Sequence, residues 1–88
     1  MLLFGHRQKK TAKDIRDVLV RFLDGTATPY EYDDFVSVSI GDPRLDAIRL
    51  RCYGLRREFP PEFPGHYCSE GGVEVMQRFI QELEDDVA

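Results

Sequence analysis

The sequence predicts an all-α protein, a compact bundle of four short helices, and three observations carry that expectation. Apolar residues recur three and four positions apart, most regularly as Leu45, Ile48, Cys52, Leu55 and Phe59 and as Val73, Met76, Ile80, Leu83 and Val87. Helix-start residues precede the periodic segments: Thr11, Thr28 before Pro29, Asp42 before Pro43, and Ser69. The 88 residues are 42 % apolar and include six Phe and four Tyr, enough to close one hydrophobic core and too few for a second. Residues 1–10 show no clear period and are expected to form a tail or docked arm, with residues 11–88 making a single helical domain.

The first helix is expected over residues 12–24. Thr11 caps it, with Asp14 in the place of a capping-box acid. Ile15, Val18, Leu19 and Phe22 form its stripe and Gly25 stops it. Thr28, Pro29 and Glu31 together make a cap, a proline at the first helical position and a capping-box glutamate, so a second helix is expected to start there and end near Val36 or Ser37. Residues 36–40 alternate apolar and polar with β-branched side chains, which predicts a short extended segment.

Asp42 and Pro43 start the third helix. Its arginines 44 and 51 flank one shoulder of the apolar seam and 49 and 56 the other, while Gly54 marks a close helix crossing or an early end. Three prolines in residues 59–65 rule out helix and predict a stiff loop in which Phe59 and Phe63 plug the core. Ser69 then caps a fourth helix, from Glu70 or Gly71 to Asp85.

The apolar opening at residues 1–4 is broken at once by Gly5, His6 and Arg7, so no signal-peptide core and no spanning helix is expected, and two cysteines are too few for a disulfide framework. Those features point to the cytoplasm. The formal net charge of −4 conceals segregation: residues 1–23 carry six positive and two negative charges, 24–46 one and six, 47–57 four and none, and 58–88 one and eight. Alternating blocks suit packed helices of opposite sign or a charged partner, and the overall acidity argues against nucleic acid despite the basic stretches 7–16 and 44–57.

For chemistry, His66 and Cys68 share a loop and Cys52 is a third donor, but the paired short spacings of a zinc site are missing, so the set is a weak metal candidate and no cofactor is expected. Cys68 directly precedes a helix start, where the dipole would lower a thiol pKa, which makes it the candidate nucleophile of an alternative, enzymatic reading. Gly71 and Gly72 lack the Gly-Lys-Ser/Thr of a phosphate loop. The densest acidic stretch holds Tyr30, Glu31, Tyr32, Asp33 and Asp34, without a catalytic base or calcium-loop spacing. Carboxylates around tyrosines suit contact with another protein, preferably a basic one, so the leading expectation is a protein-binding module rather than an enzyme. A homodimer is a third expectation, with residues 1–4 supplying part of its apolar surface.

The segments FLDGT at 22–26, PYEYDDF at 29–35 and DPRLDAIRLRC at 42–52 resemble those of small uncharacterised bacterial proteins, over about the middle third of the chain. The resemblance implies a bacterial source and carries no activity or site residue. In size and acidity the chain is also similar to bacterial immunity proteins, small helical bundles that neutralise toxins, an analogy without matching motifs.

Overall fold

The computed structural model describes residues 8–28 and 30–87; within them lie four helices, α1 (Ala12–Asp24), α2 (Glu31–Ser37), α3 (Pro43–Glu58) and α4 (Glu70–Val87). The apolar tip at residues 1–4 and the Pro29 start signal lie outside the described residues.

α1 begins and ends where its cap residues dictate. Thr11 Oγ1 accepts the Asp14 amide at 3.2 Å, and the Asp14 carboxylate accepts the Thr11 amide at 2.9 Å, so each satisfies an amide that the first helical turn leaves open. Gly25 closes the helix at φ 82°, a backbone conformation that side chains with a Cβ disfavour, and its N–H donates to the Arg21 carbonyl.

α2 starts later than its local signal suggests. The Thr28 carbonyl accepts the Glu31 amide in a turn, and the helix proper opens after Tyr30, which makes no side-chain cap bond. Glu31, the expected capping-box acid, is instead drawn to the Arg21 guanidinium of α1, a charge-assisted bond that a backbone amide cannot match.

Val36 and Ser37 belong to α2, so the extended segment is shorter than the alternating pattern implies. It comprises Val38 to Ile40, and Ile40 makes an isolated parallel bridge to Gln8. Gln8 is clasped there by four bonds: its amide to the Ser39 carbonyl, its carbonyl from the Gly41 amide, and its side-chain nitrogen to the Phe35 and Val38 carbonyls.

In α3, Asp42 Oδ1 accepts the Arg44 and Leu45 amides and Pro43 occupies the first turn. The helix runs through Gly54 to Glu58, and a Cβ at Gly54 would meet nothing within 4 Å. Gly54 is therefore neither an internal helix crossing nor a stop, contrary to the sequence expectation.

The loop after α3 is closed at its base, where the Ser69 amide donates to the Phe59 carbonyl at 2.9 Å. Phe59 packs against the core as expected, but Phe63 is 64 % exposed and stands edge-on to His66 with ring centroids 5.5 Å apart. Three prolines set the loop's path, and only its root can reach the interior. α4 extends past Asp85 to Val87.

Gly71 and Gly72 have a packing reason. A Cβ on Gly71 would lie 2.6 Å from the Phe59 ring, and one on Gly72 would lie 2.6 Å from Cys68 Sγ and 3.0 Å from Cys68 Cβ. Replacing Gly72 by Ala gains about 1 kcal/mol of helix propensity and forces overlap costing about 1–3 kcal/mol, so a net loss of up to about 2 kcal/mol is expected in urea denaturation.

The core joins all four helices. Ile15 and Leu19 from α1, Leu55 and Cys52 from α3, and Met76 and Leu83 from α4 are fully buried, with Ile40 sealing the connector side and Tyr32, Phe35 and Val36 brought in by α2. The most extensive helix contact is between α1 and α4.

Candidate functional site

The tyrosine-acid stretch divides when folded. Tyr30 is 74 % exposed, and Asp33 and Asp34 are exposed on the same short helix. Neither aspartate takes part in an ion pair among the described residues. Glu31 is half-buried, and its pairing with Arg21 holds its carboxyl below the usual range. Tyr32 is only 4 % exposed. Its ring stacks on Phe22 with centroids 4.0 Å apart, and its hydroxyl donates to the Cys52 carbonyl at 3.2 Å. The sequence expectation of a surface Tyr32 is thus corrected: the i, i+3, i+4 relation of Tyr32 with Phe35 and Val36 turns the ring inward.

Beside Asp33 an open groove of about 400 Å³ runs between the turn after α1, the start of α2 and the proline-rich loop. Phe22, Tyr32 and Tyr67 give it aromatic walls, with the two tyrosine rings edge to face at 5.1 Å. Asp33 stands on its rim with Arg56 and His66. The Tyr67 hydroxyl is turned inward to the Cys52 and Tyr53 carbonyls, at 3.2 and 3.3 Å, so it supplies the groove with ring surface and no free donor.

His66 differs from Cys68 and Cys52 in burial. His66 is exposed, while both thiols are free and buried. Burial pushes the Cys52 thiol up to about 12 and raises the Cys68 thiol as well. The lowering expected for Cys68 at a helix start is overturned because its sulfur is packed against the first turn of α4, where desolvation outweighs the dipole. Among the described residues no group of three His, Cys, Asp or Glu side chains is placed to hold a metal ion.

Much of the basic charge is engaged within the fold. Lys13 and Arg16 pair with Asp17, Arg21 with Glu31, Arg44 with Asp86, and Arg51 with Glu58. Arg49 is buried against Asp46 and the Val36 carbonyl. Arg56 and Arg57 enter no ion pair among the described residues.

One surface escaped the sequence reading. Leu50, Tyr53, Gly54 and Arg57 stand at i, i+3, i+4 and i+7 on α3, opposite the buried seam, with Leu50 54 % and Tyr53 64 % exposed. The signal is present in the sequence, but the longer inner stripe of α3 overlies it.

No family model, curated protein or solved structure matches this chain. Among the described residues no helix is long and apolar enough to cross a membrane.

Proposed function

We propose that the chain is a small protein-binding module, acting as an inhibitor or immunity-like partner, whose contact surface is the outer face of α2 with Tyr30, Asp33 and Asp34. The observation that carries the reading is the pair of exposed aspartates without an ion-pair partner among the described residues, beside a tyrosine whose ring stands in solvent. A folded chain gains little from leaving such a ring outside. A partner's surface gains contact area from it, and the carboxylates speed the approach of a basic protein and fix its register. The groove next to Asp33 offers depth for one side chain of such a partner. Burial of both thiols weighs against the enzymatic alternative at His66 and Cys68.

Tagged wild-type protein and the Asp33→Lys/Asp34→Lys variant, retrieved from source cells at low and moderate salt, test the reading. A basic protein held at low salt by the wild type, released by added salt and lost from the variant at unchanged helix content is the expected result. Equal retention by both chains removes α2 as the contact surface.

A further inference from the structure

We infer that the chain self-associates through the groove between α2 and α3, each copy laying its α2 on the α3 of the other about a twofold axis that runs along the groove. The inference goes beyond the proposed partner-binding reading and stands without it. The groove has a volume of about 590 Å³ and continues past Asp33, Arg56 and Tyr67 from the one described above. Its α2 edge carries Asp33, and its α3 edge carries Tyr53, Gly54, Arg56 and Arg57.

Three features of this face converge. The two edges bear opposite charge, and none of Asp33, Arg56 and Arg57 is in an ion pair among the described residues. A purely basic occupant would leave the arginines uncompensated, and a purely acidic one would leave Asp33 so. An occupant bearing both signs in the matching order suits both edges, and the same face turned through a twofold is one: Asp33 of each copy then meets Arg57 of the other. Second, Tyr53 is 64 % exposed beside the groove and Leu50 lies one turn away on the same helix, apolar surface that no helix among the described residues covers. Third, a Cβ at Gly54 would meet nothing within 4 Å among the described residues, so the glycine, costly in mid-helix, serves no contact among them; it leaves space for a second helix to approach the α3 backbone closely.

Sedimentation equilibrium of the purified chain, from about 1 µM to about 1 mM, spans the affinities at which such an interface would be populated. The mass is expected to rise from 10.2 kDa towards twice that value. Gly54→Gln should abolish the rise by filling the seam while keeping the fold, since glutamine favours helix over glycine, and helix content at low concentration checks that it does. Arg57→Glu should weaken association at least tenfold, and Arg57→Glu/Asp33→Arg in one chain should restore it. A monomer at every concentration overturns the inference. So does a dimer indifferent to Gly54→Gln and Arg57→Glu, or a charge swap that fails to restore association. Because no other protein is present, failure here leaves the α2 partner surface untouched, and failure of the retrieval experiment leaves this one untouched.

Discussion

Raising the pH above 9 is expected to melt the helices cooperatively, well before pH 12. The cause is a cluster of neutral groups that must stay neutral while folded. The Cys52 thiol, with an ordinary value of 9.0, is pushed up to about 12 by burial, and Cys68, Tyr32 and Tyr67 are raised for the same first reason. In the unfolded chain these groups release their protons at ordinary values, whereas the folded chain retains them. The unfolded state therefore binds fewer protons in this range, and stability, complete below pH 9, drains away as the pH climbs towards 12. Three units on Cys52 alone correspond to about 4 kcal/mol at the upper limit, a large share of the roughly 5–15 kcal/mol that holds a domain together. Tyr32, also buried, adds in the same direction. Circular dichroism against pH is the measurement, with tyrosinate absorbance followed in the same samples. Helix content that stays level to pH 12 would show that the cluster is more hydrated than its packing indicates. At neutral pH the same burial should make both thiols react far more slowly with a disulfide reagent than they do in denatured protein.

Arg49→Ala is expected to cost about 2–4 kcal/mol, the largest loss from any single charged side chain. Arg49 is the one charged residue among the described core positions. Its Nε donates to Asp46 Oδ1 at 2.7 Å and its Nη1 to the Val36 carbonyl at 2.8 Å, while the same Asp46 oxygen accepts the Ile40 amide at 2.8 Å. A single guanidinium thus ties the end of α2 and the connector to α3. Truncation strands the Val36 carbonyl in the interior and removes the stem that fills the gap between the helices. For a domain of this size the loss corresponds to a fall in Tm of roughly 10–20 °C. Arg49→Met should recover about half, since it restores the stem and not the donors. Arg16→Ala, which breaks a half-buried pair with Asp17 at the surface of α1, should cost less than about 1 kcal/mol. A loss below about 1 kcal/mol for Arg49→Ala would mean that water replaces the guanidinium without penalty.

How far the fold could be read from the chain depended on how local each determinant is. α1 was legible to the residue because Thr11, Asp14 and Gly25 act within one helical turn. Asp42 and Pro43 likewise set the start of α3. Local signals place the start of α2 too early because Glu31 answers to Arg21, ten positions earlier, and no local rule weighs a distant guanidinium against a near amide. Residue type alone places Phe63 inward, yet the prolines that stiffen the loop also hold its tip outside. The candidate surface was half legible. Charge and residue type marked Tyr30, Asp33 and Asp34, but which side of seven residues faces the core depends on what they pack against, and Tyr32 lay on the wrong side of that question. Gly71 and Gly72 were visible as a pair, though their purpose required knowing that Phe59 and Cys68 stand over them.

The pairing of α1 with α4 bears on how the protein is made. α1 leaves the ribosome first among the four helices and α4 last, so the face of α1 bearing Ile15, Val18 and Leu19 waits without its main cover while α2, α3 and the proline-rich loop are synthesised. The nascent chain is then obliged to fold late, in one event after α4 clears the exit tunnel, and until that moment it presents a sticky stripe to chaperones. Truncations that remove Leu83, fully buried on α4, should leave arrested chains that are cleared by proteolysis rather than shorter versions of the same domain.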